Sequence, residues 1–477
     1  MNYSYAKLKR SEEDTGNRPY LLIFLLTVVM LVFNCLLQEG IAFYRGGENT
    51  VFNEPEFYLY FGITVCLLAL CYIVAIKKWG LRVHWGWAIM FLIIGIGNTL
   101  AILLFPSEVS GTVTRYTGDI QPYTYVMDDT LRVHYMLDYI EACFLFYYLF
   151  AIFPEVVRSS RSFLPIFYGV VIVSLVSIGY SIFKEMDVYM YFFDTSKPAN
   201  SSIYASSFYG NRNTYGVMLL LGILCTAYIH ADRHHFWNYI LMGFQYVMLL
   251  FVISKTSIFI STVFLAVFGL YRFFDNIHSK HVFKATLSLL LWAAVFFTFV
   301  FMGTKKMLPK GSLLDKLYES FHSAMGTYRD NGLENRTEIW NACVAFQSSN
   351  HIALWLGVGE QNDYLLLNVM FQYYNQRLYF EHNGFIHQLF SGGIVRLTAY
   401  SIITFLLVYK SIISIIKKEK TGWASLFLLS AFYAHGLTET TSFLMPDTKG
   451  VVTILLIGPL LACSKKRATS VNEGEAN

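Results

Sequence analysis

HWGWAIMFLIIGIGNTLAILLF, running from His84 to Phe105, contains no aspartate, glutamate, lysine or arginine. A helix of about 20 such residues crosses the ~30 Å hydrocarbon core of a bilayer, so the stretch predicts a transmembrane span. Windows of the same kind recur along nearly the whole chain. About twelve are read, at 20–38, 57–76, 84–105, 136–154, 163–183, 213–231, 235–253, 256–274, 284–303, 385–409, 422–436 and 449–464. Two depart from the simplest pattern: the tenth holds Arg396, and the eleventh is short. Composition agrees. Of 477 residues, 55% are hydrophobic and 14% charged, against roughly 25% charged in an ordinary soluble domain. The expected fold class is an all-α polytopic membrane protein, a single integral membrane domain over residues 1–477 with no separate soluble domain.

The first span follows Lys7, Lys9 and Arg10 and has no small-residue cleavage site after it, which reads as a retained signal anchor. Lys and Arg in the short loops set the orientation. One set of alternate connections holds Lys77, Lys78, Arg82, Arg158, Arg161, Arg233, Arg272, Lys280, Lys284, Lys410, Lys417, Lys418 and Lys420, and the C-terminal tail adds Lys465, Lys466 and Arg467. The opposite set, with Arg45, Arg115, Arg132, Lys184, Lys197, Arg212, Lys255 and Lys449, is poorer. Both termini are therefore placed in the cytoplasm. The net charge of +4 is accounted for by this bias and implies no nucleic-acid partner. Cys343 alone among the cysteines falls in an outer loop, which excludes a disulfide framework.

Residues 304–384 form one outer loop, between spans nine and ten, that is too long for a plain connector. Trp340, Trp355 and the tract DYLLLNVMFQYYNQRLYF (363–380) predict that it folds onto the outer face rather than staying disordered. Within it, SLLDKLYESFHSAMGTYR (312–329) and RTEIWNACVAFQ (336–347) have the apolar spacing of short amphipathic helices. Asn335 is the expected N-cap of the second, with Glu338 in a capping-box position. The WLGVGEQ turn (355–361) then leads to the aromatic tract.

Four stretches on this side carry possible chemistry. YGNRNTYG (209–216) reads as a helix start with an Asn cap, and it also offers Arg212. In ISKTSIF (253–259), Lys255 either snorkels to headgroups or aims its ammonium at an anion, with Ser254, Thr256 and Ser257 as further donors. ENRTEIW (334–340) puts Arg336 in the first turn of a helix, an end that favours negative charge. A bound phosphate would resolve that conflict. In EHNGFIHQLFSGG (381–393), His382 stands where the loop rejoins the membrane, and an imidazole is suited to take a proton from a substrate hydroxyl. His387 reads as structural, and Gly392 and Gly393 permit close helix packing. A fifth stretch, HGLTETTSFLMPD (435–447) with Glu439 and Asp447, reads as an ordinary polar turn. No carboxylate cluster is visible in the outer loops, so a reaction without a metal or cofactor is expected. Cations that meet phosphate charge, beside a histidine that takes a hydroxyl proton, fit a lipid-linked diphosphate substrate.

From Arg336 through WLGVG to EHNGFIHQLFSGG and the following apolar span, the chain resembles the C-terminal signature of the bacterial O-antigen ligase and polymerase family, which includes capsular polysaccharide polymerases. That family shows a His followed by Asn, Ser or Gln, nine residues, then Gly, a pattern matched here by His382, Asn383 and Gly393. Three positions after that Gly the family has a small residue or Tyr, whereas this chain has Arg396. NRNTYG, with Asn213 and Gly216, is similar to the family's Asn-x-x-Gly at an outer helix start. SKTS stands where many members carry Ser-Arg, so Lys255 keeps the charge and loses the bidentate fork.

The resemblance covers about residues 205–445. It implies a GT-C-like helical fold in the bacterial plasma (inner) membrane with its active site on the extracytoplasmic face. The implied donor is an undecaprenyl-diphosphate-linked oligosaccharide, with His382 as general base and Arg336, Lys255 and Arg212 on the diphosphate. Asn383, Asn213 and Glu439 are expected as supporting residues. Membrane lipid, a flippase and a chain-length regulator are the partners such a reaction implies.

Polymerisation of repeat units is the first reading, and Arg396 together with aromatic residues at 364–380 that suit stacking on sugar rings favour it. The alternatives are a ligase, which hands the same glycan to a different acceptor, and a twelve-span transporter or flippase, to which Asp138 and Glu141 in the fourth span point.

Overall fold

The computed structural model describes residues 22–23, 25–30, 54–79, 83–114, 118–127, 129–160, 164–198, 200, 203–233, 235–278, 280–303, 310–319, 333–371, 381–417, 419–445 and 447–463. Most of the first expected span lies outside them, as do the tails with Lys7, Lys9, Arg10 and Lys465 to Arg467. So do Arg45, Arg82, Arg115, Arg161 and Lys418, residues 320–329 of the first expected loop helix, and 372–380 of the aromatic tract.

The described chain is mainly helical. It runs α1 (Glu54–Trp79), α2 (Trp85–Leu104), β1 (Glu108–Thr114), β2 (Ile120–Val126), α3 (Asp129–Tyr147), a π turn (Tyr148–Ile152), α4 (Phe153–Ser160), α5 (Leu164–Lys184), α6 (Met186–Phe193), α7 (Arg212–Arg233), α8 (Trp237–Val252), α9 (Lys255–His278) and α10 (Val282–Gly303). It continues with α11 (Leu333–Ser349), α12 (His351–Leu356), α13 (Asn362–Met370), α14 (Gly384–Ile416), α15 (Lys420–Gly436) and α16 (Thr448–Cys463).

Among the described residues, six helices are long and apolar enough to cross a membrane: Trp85–Leu104, Asp129–Val157, Leu164–Lys184, Arg212–Ala231, Lys255–His278 and Gly384–Ile416. Shorter apolar helices cover Phe61–Lys77, Trp237–Val252 and Thr448–Gly458. Leu92, Phe144, Ile172 and Phe405 are each more than half exposed. In water such a coat would drive aggregation; in lipid it is the ordinary outer surface of a bundle. The chain is a multi-pass helical membrane protein.

A two-stranded hairpin accompanies the helices. EVSGTVT pairs antiparallel with IQPYTYV, Glu108 opposite Val126, and the hairpin turns Val113 and Tyr125 inward. It joins a second core with Ile102, Phe105, Tyr135, Ile339, Cys343, Phe346, Leu366, Leu367 and Phe390. Residues 333–371 are thereby packed against the hairpin and the adjoining ends of α2, α3 and α14. The front of the aromatic tract serves this core: Leu366, Leu367 and Phe371 are buried. Residues 313–319 are also helical, and Lys316 is buried, its ammonium donating to the Tyr191 and Asp194 carbonyls. Arg132, read as a loop cation, is instead on α3 and caps α2, donating from Nη1 to the Ile102 and Phe105 carbonyls at 2.7 Å each.

The glycine pair after His382 has a specific function. Gly393 adopts φ 64° and ψ −166° inside α14, a conformation open to glycine and strained for other residues. A Cβ there would lie 2.3 Å from the Trp355 backbone, and one at Gly357 would lie 2.3 Å from the Ser391 backbone. The two backbones meet and bond: Val358 N–H donates to Phe390 O, and Gly359 N–H to Ser391 O, at 2.9 Å each. This contact fixes the WLGVG turn against α14.

Candidate functional site

The segment around Asn213 and the Lys255 turn are brought together by a missing side chain. Asn211 caps α7, its Oδ1 accepting from the Asn213 and Thr214 amides at 2.8 and 3.4 Å. One turn on, a Cβ on Gly216 would fall 2.5 Å from Ser254 Cβ. Only glycine lets α7 sit this close to the turn between α8 and α9, which Ile253 makes by adopting φ 55°. Ser254 Oγ then donates to Asn213 Oδ1 at 3.3 Å. Lys255 opens α9, near enough to Arg212, Arg336 and Glu439 to feel their charges. The Arg212 guanidinium lies 4.9 Å from the Tyr204 ring.

Glu439 joins this corner to the other two stretches. Arg336 donates from Nη1 to Thr438 O at 2.6 Å and from Nη2 to Glu439 Oε1 at 3.3 Å. The second carboxylate oxygen, Oε2, is 3.2 Å from His382 Nδ1. Burial pushes the Glu439 carboxyl up, but the hydrogen bond and charge interaction with His382, followed by Arg336, outweigh it and hold the group down at about 2. The carboxylate is therefore ionised at neutral pH and orients the imidazole. His382 adopts φ 50°, a left-handed conformation that a non-glycine residue holds at some cost. Its amide donates to Thr440 Oγ1 at 3.0 Å. Asn383 follows as N-cap of α14, its Oδ1 accepting from the Phe385 and Ile386 amides.

Two expectations need correction here. Asn335 is itself helical within α11 (Leu333–Ser349), so it is not the N-cap, and Arg336 lies on the same helix. The stretch 435–447 is more than a polar turn, because Glu439 is the shared partner of Arg336 and His382. Asp447 stays outside this group, pairing with Lys449 at 3.4 Å.

No protein-family model and no curated protein matches the chain. Its chemistry is read from geometry. With Nδ1 directed at Glu439, the imidazole has Nε2 left to accept a proton, the arrangement that a carboxylate imposes on a histidine base. Arg336, Lys255 and Arg212 gather positive charge beside it. A cleft of about 880 Å³ between the hairpin and α11, lined by Ser110, Tyr123, Asn341 and His351, includes none of these residues.

A second cluster was not legible in the sequence, which showed no carboxylate cluster. Glu360, Asp363 and Glu381 converge on His387, and all four are buried. Arg396 pairs with Glu360, donates from Nε to Gln388 Oε1 at 2.7 Å and from Nη2 to Leu444 O at 2.6 Å, and lies 4.7 Å from the Tyr139 ring. Burial alone would raise Glu360, but Arg396 and then His387 hold it at about 2. Asp363 is pushed up to about 7, first by burial and next by Glu381. Asp138, a candidate transport carboxylate, accepts from Gln361 Nε2 beside this cluster. Among the described residues, Asp363, Glu381 and His387 are the group whose ligand atoms lie close enough together to hold a metal ion.

Proposed function

We propose that this protein is a membrane glycosyltransferase that polymerises undecaprenyl-diphosphate-linked oligosaccharide repeat units on the outer face of the bacterial plasma membrane. In this reading the fold is GT-C-like with about twelve spans and both termini cytoplasmic, and a flippase delivers the repeat units. The observation that carries the proposal is the chain Arg336–Glu439–His382 beside Lys255 and Arg212. It supplies a base held by a carboxylate and, next to it, cations for a phosphate leaving group.

The acceptor hydroxyl oxygen attacks the anomeric carbon of the donor glycan and passes its proton to His382 Nε2. The bond from that carbon to the diphosphate oxygen breaks, and the lipid diphosphate leaves with the electron pair. Arg336 on α11, with Lys255 and Arg212, meets the charge that develops on it. Asn383 holds the backbone at the start of α14, and Asn213 ties the start of α7 to the Lys255 turn by accepting from the Ser254 hydroxyl. The ligase reading uses the same donor chemistry and differs in the acceptor.

The test is transfer by the purified protein supplied with a lipid-diphosphate-linked oligosaccharide. Longer lipid-linked glycans made by wild type and lost in His382→Ala and Arg336→Ala support the proposal. Transfer to an added lipid-core acceptor alone moves the assignment to the ligase. A wild type that extends nothing, yet flips the lipid in liposomes and tolerates both substitutions, overturns it and directs attention to Asp138 and Glu141.

A further inference from the structure

The environment of His387 is unusual for a structural histidine. Its Nδ1 lies 3.0 Å from Asp363 Oδ2 and 3.3 Å from Glu381 Oε2, and its Nε2 lies 3.4 Å from Glu360 Oε1. The side chains of His387, Asp363, Glu381 and Glu360 are each no more than 5% exposed. Yet neither ring nitrogen makes a properly directed hydrogen bond among the described residues, and Glu381 Oε1 is likewise buried without one. A polar atom so placed costs about 1–3 kcal/mol unless something satisfies it.

We propose that Asp363, Glu381 and His387 bind one divalent transition-metal ion of the zinc or manganese class. The ligand atoms of the three all lie within 4.8 Å of one another. With bonds of about 2.0–2.2 Å, two ligands of one ion stand roughly 3 Å apart, and both Nδ1 separations have that size. Imidazole with carboxylate oxygens is the donor set that such ions take. The second ring nitrogen then faces Glu360, which Arg396 holds in turn. A carboxylate behind a metal-bound histidine fixes the tautomer and the ring orientation.

Charge supports the same assignment. Three carboxylates outnumber the one guanidinium of Arg396 in this buried cluster, and a divalent cation would offset the excess negative charge. The role follows from position. Glu381 immediately precedes His382, and its carbonyl accepts from Trp340 Nε1 at 2.6 Å. An ion on its side chain would tie the end of the long loop to α13 and α14 and so help keep His382 in its left-handed conformation. The ion site stands independently of the glycosyl-transfer reading; only its effect on transfer would rest on it.

The experiment is elemental analysis of the tag-free full chain, purified in detergent without chelator, with and without added Zn²⁺, Mn²⁺ or Co²⁺. About one mole of metal per mole of protein is expected, with Co²⁺ giving visible d–d absorption. Glu360→Gln should bind 10- to 100-fold more weakly, the size of effect usual for a residue behind a ligand, and Asp363→Asn/Glu381→Gln should bind none. Wild type that carries no metal and takes up none overturns the proposal and leaves a cluster neutralised by protons. Stoichiometric metal retained by the folded double variant overturns it as well. If that variant does not fold, the wild-type stoichiometry and the Glu360→Gln affinity decide.

Discussion

The hydroxyls of Thr256 and Thr438 lie 2.8 Å apart, although 182 positions separate them in the chain. This bond joins the turn that carries Lys255 to the loop that carries Glu439. Thr438 also accepts, through its carbonyl, from Arg336. Replacing either threonine by valine keeps the shape and removes the link. A double-mutant cycle on thermal unfolding in detergent should show a coupling of about 1 kcal/mol, and transfer should fall in each single variant and little further in the double.

His382 and Glu439 should act as a unit. General-base catalysis contributes about 10²- to 10⁴-fold, so His382→Ala is expected to lose transfer by that factor, mainly in kcat. Glu439→Gln keeps the size of the side chain and removes the charge that orients Nδ1. It should lower kcat at least tenfold and add little to the loss in His382→Ala. Full additivity of the two substitutions would separate their roles.

The depressed Glu439 pKa fixes the sign of a pH effect. A carboxyl held at about 2 against an ordinary 4.5 stabilises the folded state above the ordinary value and loses that contribution as pH falls towards 2. From pH 5 to 8 the carboxyl itself stays ionised. The comparison of wild type with Glu439→Gln in thermal unfolding should give a difference that shrinks as pH falls from about 5 towards 2.

Gly216→Ala should displace α7 from the Lys255 turn, since the new methyl would meet Ser254 Cβ at 2.5 Å. Overpacking of this kind costs typically 1–3 kcal/mol. Ser254→Gly should recover part of the loss, whereas Ser254→Ala, which keeps the obstructing Cβ, should not. Unfolding midpoints of the three variants, set against wild type, settle the matter.

Arg396→Met would leave Glu360 charged and buried without its main counter-ion. Such a removal costs about 3–5 kcal/mol. Adding Glu360→Gln should restore a large part, because the uncompensated charge is then gone. Expression yield and melting temperature of the single and double variants measure this directly.

The spans were legible because lipid imposes length and apolarity on each helix by itself: Trp85–Leu104 and Leu164–Lys184 fall within a residue or two of their expected limits. The hairpin was not, since seven-residue strands with polar alternation between two spans resemble a solvated loop. His382, Arg336 and Lys255 stand out in the sequence through local motif and charge. That Glu439 connects them depends on the path of the chain after α15, which no local pattern encodes. Glu360, Asp363 and Glu381 were missed for the same reason, being separated in sequence and gathered only by the packing of α13 on α14. Arg396 looked like a misplaced charge because its partner lies 36 residues away.

The break at Gly393 divides α14 into unequal lengths. Below it, Ile394 to Ile416 offers roughly 23 residues, about 35 Å of helix, which suffices to traverse a bilayer unaided. The short upper piece, with Asn383 at its start and His387 on its second turn, is thereby relieved of any spanning duty. It is a platform that a glycine joint sets at its own angle, held to the loop turn through the close backbone contact of Gly357 with Ser391, while the long lower piece follows its own axis.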